Sequence, residues 1–137
     1  MDFEKLKIKT YDNWDLYLHT HQDPLIGRSY AWAKRPEAES VRDMNTKERE
    51  ELFTQVIPEW DKAVQELYDH DLANVSALGN NTKHLHWHLV PRHHTFKNFY
   101  GQEFNDPIPG RNYAHLGKKT VPDDILIKIR DDISNVI

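Results

Sequence analysis

Residues 84–92 read His84-Leu85-His86-Trp87-His88-Leu89-Val90-Pro91-Arg92, so three histidines alternate with large apolar residues. An alternation with a period of two predicts a β-strand, whose successive side chains point to opposite faces of a sheet. The three histidines therefore share one face, while Leu85, Trp87 and Leu89 share the other. Because a packed strand has little structural use for three adjacent imidazoles, this stretch indicates packing on one face and chemistry on the other.

The composition predicts one globular domain spanning residues 1–137. Of the 137 residues, 38% are apolar and 29% are charged, and no stretch is long and apolar enough for a membrane span. No cysteine is present, which excludes disulfides, cysteine nucleophiles and zinc sites built from thiolates. Together with the absence of an apolar leader, this favours a cytoplasmic location.

The distribution of charge favours a small anionic ligand over a polymer. The net charge is −4, whereas a nucleic-acid binder usually carries a basic face. Five of the nine histidines nevertheless lie between residues 84 and 94, together with Arg92. A local cationic pocket in an acidic protein suits a small anion, so neither a nucleic-acid polymer nor a membrane is expected as a partner.

Hydrophobic patterns elsewhere predict further strands and two helices. Period-two alternation predicts strands at residues 5–11, 14–19, 27–32 and 72–78, in addition to 84–92. Helical spacing predicts a helix over residues 45–69, in which Asn45 and Glu48 form a capping box and Pro58 kinks or splits the helix near Ile57. Residues 93–119 are predicted as a long loop. A helix is expected after residue 120, although the isoleucines at 125, 127 and 129 also fit a strand.

Two kinds of chemistry fit the three histidines. On a flat strand the backbones of His84 and His88 lie ~13 Å apart, so all three cannot easily bind one zinc ion. A His-X-His metal site would need further ligands, for example His19 and His21. Alternatively, a neutral imidazole can attack phosphorus with one nitrogen if an acceptor holds the proton on the other. A third interpretation is that the histidines are simply polar residues on a solvated face of the sheet. It does not account fully for the large residues between them.

The stretch from His84 to Val90 is similar to the signature of the histidine triad family, and Pro91-Arg92 extends the match. The resemblance covers most of residues 6–135, because further motifs follow in the family's order. These are Gly27-Arg28, Lys34-Arg35-Pro36, the helix after Asn45, Asn74, Leu78-Gly79-Asn80, Phe104-Asn105-Asp106 and Gly110-Arg111-Asn112-Tyr113-Ala114. The resemblance implies an α+β fold: an antiparallel sheet of about five strands, a long helix on one face, and a C-terminal helix. It also implies a homodimer.

The resemblance further implies hydrolysis or transfer at the α-phosphate of a dinucleoside polyphosphate or a nucleoside phosphoramidate. His86 would be the nucleophile and form a nucleotidyl-histidine that water then cleaves. His88 would contact phosphate and assist proton movement, and His84 would orient its neighbours. Asn74 and Asn80 match polar residues of the family, so they are expected to contact substrate. No cofactor is required, although a divalent cation such as Mg²⁺ can enter with the substrate.

The chain departs from the family at two places. Arg28 stands where the family often has a histidine; a guanidinium binds phosphate well but cannot act as a neutral acceptor or proton relay. A nucleotide-binding module without catalysis is therefore the alternative function. The cysteine and histidine ligands that hold zinc in some members are missing, so no structural zinc is expected. Arg92 either neutralises substrate phosphate or forms an ion pair at the sheet edge, and the sequence leaves both open.

The remaining aromatic and histidine residues are assigned plainer roles. All four tryptophans are predicted to lie in the core: Trp14, Trp32, Trp60 and Trp87. His93 and His94 are predicted to be solvated in a loop. His19 and His21 are expected to be exposed or hydrogen-bonded, with a place in the site as the alternative. The aromatic residues of the 93–119 stretch are interpreted as packing, and none is assigned to a nucleobase: Phe96, Phe99, Tyr100, Phe104 and Tyr113.

Overall fold

A five-stranded antiparallel sheet forms the centre of the fold in a computed structural model, which describes residues 2–116 and 119–137. Its strands are β1 (Lys7–Thr10), β2 (Trp14–Leu18), β3 (Ser29–Ala33), β4 (Leu72–Ser76) and β5 (His86–Arg92). They lie in the order β1-β2-β3-β5-β4, and every neighbouring pair is antiparallel. The histidine strand β5 is thus interior, and β4 covers its outer side as an edge strand. The predicted α+β fold is confirmed.

The predicted long helix runs in three parts: α1 (Thr46–Glu51), a π-helical turn (Leu52–Val56) and α2 (Ile57–Tyr68). The capping box is confirmed, because the Asn45 side chain accepts from the Glu48 backbone N–H and the Glu48 carboxylate accepts from that of Asn45, both at 2.9 Å. The predicted disturbance near Pro58 takes the form of the π turn. Proline lacks an N–H and crowds the carbonyl one turn earlier, and a wider turn relieves that crowding.

Residues 93–119 are not the structureless loop that the sequence predicts. A hairpin forms between β6 (Lys97–Phe99) and β7 (Gln102–Phe104), and its turn residues Tyr100 and Gly101 have φ angles of 56° and 74°. Strands of three residues are too short for period-two alternation to reveal them. A 3₁₀ turn at Tyr113–His115 follows further along.

The C-terminal helix α3 (Asp123–Val136) is confirmed, and the strand alternative for its isoleucines is wrong. Two aspartates in its first turn, Asp123 and Asp124, lie at the positive end of the helix dipole. Its buried face contains Leu126, Ile129 and Ile133, which join the core as α3 packs on α2 and β1. Among the described residues, no helix combines the length and apolar character needed to cross a membrane.

The tryptophans divide between the two faces of the sheet. Trp14 and Trp60 are fully buried, and Trp87 packs partly buried against the same core, as predicted. The prediction for Trp32 is wrong. The register pairs Trp32 with His86, so both side chains project from the face opposite to the core. Directly opposed residues of antiparallel strands lie on the same face of the sheet.

Candidate functional site

The three histidines lie on one face, as the alternation predicts, although β5 begins only at His86 and His84 lies at a bend before it. The Trp32 indole stacks on both His84 and His86, with ring centroids 4.1 Å and 5.6 Å away. The rings of His86 and His88 are 5.0 Å apart. On the other face Leu85 and Leu89 are buried in the core.

Backbone carbonyls fix the tautomers of two of these imidazoles. His86 Nδ1 lies 2.6 Å from the backbone oxygen of His84, and His84 Nε2 lies 2.7 Å from that of Ala33. A carbonyl oxygen only accepts, so the neutral rings carry their protons on these nitrogens. The lone pair of His86 is therefore on Nε2, and that of His84 is on Nδ1. The geometry leaves His86 Nε2 able to act as a nucleophile or a base.

Two cavities meet at His86 and His88, and a third of about 320 Å³ borders His84 and His86 from the side of Glu39 and Arg42. The first two are both lined by His19, Thr82, His86 and His88. The first has a volume of about 210 Å³, and we call it the aromatic pocket because it adds Phe3, Tyr30 and Trp32. The second has a volume of about 370 Å³, and we call it the cationic pocket because it adds His21, Arg28, Asn80 and Tyr113. The site thus offers stacking surface on one side of the histidines and positive charge on the other.

Arg28 and Tyr113 form one wall of the cationic pocket. The Arg28 guanidinium carbon lies 5.4 Å from the centroid of the Tyr113 ring, a cation–π distance. The Tyr113 hydroxyl is 2.6 Å from the Ser76 hydroxyl, and the ring centroid is 6.4 Å from that of His88. Burial lowers the pKa of Arg28 below its usual value, but an arginine remains charged in proteins.

Arg92 forms a buried ion pair, so the alternative in which it neutralises substrate phosphate is wrong. Its side chain is 1% exposed, and its Nε and Nη2 donate to the two oxygens of Asp106 at 2.8 and 3.1 Å. Nη1 also donates to Asn74 and to the Arg111 carbonyl, and Nη2 to the Ile108 carbonyl. All five guanidinium N–H groups are therefore used within the protein. Arg92 holds residues 106–111 against the sheet.

The two predicted asparagines lie in different places. Asn74 accepts the Arg92 hydrogen bond at 2.9 Å and lines a separate groove that none of the three histidines lines. Asn80 is exposed and lines the cationic pocket beside His86 and His88. The structure thus brings Asn80 and Arg28 to the histidine face, and it places Asn74 in the network around Arg92.

Comparison with known proteins shows which family has this fold and this histidine strand. The family model for the HIT domain matches residues 9–95, which is more than half of the chain. The chain belongs to the HIT family. No curated protein matches it. Solved structures of HIT proteins are similar over nearly the whole chain, but at identities that establish only the fold.

Three of these structures show the extent of the likeness. A histidine triad protein from Marinobacter aquaeolei VT8 is 15% identical, with a TM-score of 0.75 over 97% of this chain and 92% of that one. One from Sinorhizobium meliloti 1021 is 14% identical, with a TM-score of 0.74 over 96% and 89%. A hypothetical histidine triad nucleotide-binding protein from Sulfolobus tokodaii strain 7 is 16% identical, with a TM-score of 0.62 over 95% and 84%.

Within this HIT domain, sequence reasoning missed several residues of the site. His19 and His21 line the cationic pocket, where the sequence offered this only as an alternative. Tyr113 reaches the pocket from a stretch interpreted as packing, and no local pattern marks it. Trp32 could have been found, because the alternation of β3 against β5 places every second residue of β3 on the histidine face.

The prediction that His93 is solvated is wrong, whereas His94 is exposed as predicted. The His93 side chain is buried, and its ring centroid is 6.5 Å from that of His70. Burial lowers the pKa of His93 to about 4, so this imidazole is neutral at pH 7. It lies beyond the end of the histidine face and lines neither pocket.

The His-X-His metal alternative finds no supporting geometry. Within residues 2–116 and 119–137, no group of three or more histidine, cysteine, aspartate or glutamate side chains is arranged to hold a metal ion. His19 and His21 do lie beside His86 and His88 around one pocket.

Proposed function

We propose that this HIT protein is a nucleotide hydrolase or nucleotidyl transferase that acts at an α-phosphate through a covalent nucleotidyl-His86 intermediate. One observation carries the proposal. The Nδ1–H of His86 is held by the His84 carbonyl at 2.6 Å, which leaves the Nε2 lone pair on a ring that borders two pockets. A nucleophilic imidazole needs this arrangement.

The reaction proceeds in two displacements at phosphorus. In the first, the Nε2 lone pair of His86 forms a bond to the α-phosphorus, and the bond to the leaving group breaks with its electron pair. The His84 carbonyl stabilises the positive charge that develops on the imidazole, because it accepts the Nδ1 proton in a charge-assisted bond. In the second, water or another acceptor attacks phosphorus and the P–N bond returns its pair to His86.

The neighbouring side chains supply binding and proton movement. His88, 5.0 Å from His86 by ring centroids, is proposed to contact the phosphate and move a proton. His84, fixed by the Ala33 carbonyl and by Trp32, is proposed to orient His86. Asn80 is proposed to contact phosphate in the cationic pocket. No resident cofactor is required, and magnesium would enter only with the phosphates of the substrate.

A nucleotide-binding module without catalysis is the second candidate. The observation that favours it is Arg28, because a guanidinium cannot relay a proton behind the histidines. Calorimetry that shows nucleotide binding, together with no turnover and no labelling of His86, would decide for this alternative.

The nucleophile is tested with His86→Asn, whose amide can still donate to the His84 carbonyl. We expect kcat for a dinucleoside polyphosphate or a nucleoside phosphoramidate to fall by about 10⁴-fold, or ~5.4 kcal/mol at 1.36 kcal/mol per tenfold. Mass spectrometry after an alkaline quench should detect the nucleotide on His86 in wild type only. The exposed His94→Asn serves as the matched control. Undiminished turnover in His86→Asn would remove His86 from the mechanism.

The homodimer implied by the resemblance also stays a proposal, as does the cytoplasmic location. The open edge of β4 supports a dimer, because an unpaired strand edge offers backbone groups to a second chain. Leu72 at the start of this strand is 56% exposed. Light scattering that gives twice the mass of 16.3 kDa is the expected result, and a monomer mass would contradict it.

A further inference from the structure

Arg28 differs from Arg35, Arg92 and Arg130 because its charge has no ionic partner among the described residues. Arg92 is fully paired by Asp106, Arg35 pairs with Glu48, and Arg130 donates to Asp131 and to a backbone carbonyl. With the side chains that the structure describes, Arg28 makes no hydrogen bond and no ion pair, and its Nε is buried without an acceptor among them. The residue as a whole is half-buried and lines the cationic pocket. A cation that is partly withdrawn from water without a counter-charge is costly, so we expect it to bind an external anion.

Backbone hydrogen bonds and the conformation of Gly27 fix the main chain at Arg28, and this sets the direction in which the side chain projects. Its N–H donates to the Leu25 carbonyl at 3.1 Å. Its own carbonyl accepts from the His19 N–H at 2.9 Å and from the buried side chain of Gln22 at 2.8 Å. Gly27 before it has a φ of 97°, which a residue with a side chain rarely adopts. This turn directs Arg28 into the cationic pocket.

None of the described residues that line the cationic pocket carries a charge that could neutralise the guanidinium. Tyr113 offers its ring face, and its hydroxyl is already bonded to Ser76. The rest of the described lining consists of four histidines, two asparagines, Thr82, Leu78, Gly79 and Ala114, and none is a carboxylate. The pocket therefore places the charge of Arg28 and several hydrogen-bond donors around a volume of about 370 Å³. This volume can hold a whole phosphate group.

The two pockets assign different parts of a substrate to the two sides of His86. The phosphorus under attack must lie next to His86, where the pockets meet. The aromatic pocket offers Tyr30 and Trp32 for stacking against a base. A third cavity beside His86 is lined by Glu39 as well as Arg42, and a carboxylate repels a departing anion. The cationic pocket has no carboxylate in its described lining, so it suits the group that departs from phosphorus, and Arg28 is the cation within it.

We propose that Arg28 is the specificity-determining residue of this site: it binds an anionic group on the leaving side and selects phosphate-rich leaving groups over neutral amines. This rests on the proposed function. When a phosphoanhydride is attacked, the P–O bond breaks and its electron pair stays on the departing phosphate, whose negative charge grows. A guanidinium stabilises that growing charge without giving up a proton. A departing neutral amine needs a proton instead, which Arg28 does not supply.

The test compares two substrates that share one nucleoside: a dinucleoside triphosphate and the phosphoramidate of an uncharged amine. For Arg28→Met we expect kcat/KM for the triphosphate to fall about 100-fold, or ~2.7 kcal/mol at 1.36 kcal/mol per tenfold. The phosphoramidate should change less than about threefold, or ~0.65 kcal/mol by the same conversion. Arg28→Lys should keep part of the preference, because it keeps the charge. Lys83→Met removes a positive charge beside the histidines but outside both pockets, so it controls for general steering.

Equal losses on both substrates would overturn the proposal, since Arg28 would then act on the reacting phosphate or on the fold. Unchanged kinetics for both would overturn it as well. A second measurement separates this proposal from the catalytic one. Calorimetry with inorganic tripolyphosphate on His86→Asn should show binding that Arg28→Met weakens at least about tenfold and Lys83→Met does not. If neither substrate turns over, the catalytic proposal fails while this binding result still decides the role of Arg28; unweakened binding would refute it.

Discussion

The imidazole of His84 lies almost flat against the indole of Trp32, with 4.1 Å between ring centroids and 18° between planes. The same ring is held at its Nε2 by the Ala33 carbonyl, which belongs to the strand that carries Trp32. Two contacts from β3 thus fix a residue that itself lies before β5. The His84 carbonyl in turn accepts the Nδ1 proton of His86. A change at Trp32 should therefore alter the orientation of the proposed nucleophile through His84.

Replacing Trp32 should therefore lower turnover without abolishing it. Aromatic pairs contribute about 0.5–1.5 kcal/mol beyond their buried area, so Trp32→Leu should reduce kcat by about 2- to 12-fold at 1.36 kcal/mol per tenfold. Trp32→Phe retains a ring for His84 and should recover most of the rate. The NMR chemical shifts of the His84 imidazole should lose the ring-current contribution of the stacked indole in the leucine variant, whereas the phenylalanine variant should keep part of it. Equal rates for the two variants would show that stacking plays no part.

The strand alternation was enough to predict which face of β5 carries the histidines, and the capping box at Asn45 was enough to predict where the long helix begins. Residues brought in from distant segments escaped prediction for a physical reason. Arg92 and Asp106 pair across the β6–β7 hairpin, and whether an arginine meets a carboxylate or a substrate depends on tertiary contacts that no local pattern encodes. Tyr113 reaches the pocket in the same way. Hydrophobic character alone places Trp32 in the core, whereas its register opposite His86 places it on the histidine face.

The Arg92–Asp106 pair should be a large contributor to stability. Removing one partner of a buried pair leaves the other uncompensated, so Arg92→Met should lower the free energy of unfolding by about 3–5 kcal/mol. The double variant Arg92→Met/Asp106→Leu should regain part of this, because no charge remains buried. Urea unfolding measures both. Lys128→Met removes one partner of an exposed pair with Asp132 and should change stability by less than about 1 kcal/mol. A small loss in Arg92→Met would contradict the buried pair.

Gly27 should tolerate substitution poorly, for two reasons. Its φ of 97° is strained for any residue with a side chain, and an added Cβ would lie 2.7 Å from Cγ1 of Val64 on α2. Gly27→Ala should therefore lower the free energy of unfolding by more than about 2 kcal/mol. Gly79 also has a positive φ, but nothing lies within 4 Å of its added Cβ, so Gly79→Ala should cost about 1 kcal/mol.

A double-mutant cycle separates the clash from the backbone strain. Combining Gly27→Ala with Val64→Ala removes the clashing methyl group, so the two losses should be less than additive. Strict additivity would show that strain alone is responsible. A shift of the backbone at Gly27 would also affect the site, because this turn directs Arg28 into the cationic pocket. The turn is tied to α2, since the Gly27 carbonyl accepts the Trp60 indole N–H at 3.1 Å.

Stability should fall with acid because His93 is buried in its neutral form. Its folded-state pKa of about 4 lies below the ordinary value of about 6.5. Between these two values the unfolded chain binds a proton that the folded chain does not, so the free energy of unfolding decreases as the pH falls from 6.5 to 4. The full difference amounts to about 3 kcal/mol, complete once the pH reaches the folded-state pKa.

Urea unfolding of wild type and His93→Phe at several pH values between 7 and 4 measures this contribution as the difference between the two curves. Groups around His93 also titrate or carry charge, namely His70, Asp106 and Lys97, and they remain in both proteins. We expect the variant to lose stability less steeply on acidification, whereas the exposed His94→Phe should follow wild type. Parallel curves for wild type and His93→Phe would mean that His93 accepts a proton in the folded state as readily as in the unfolded chain, which its burial should prevent.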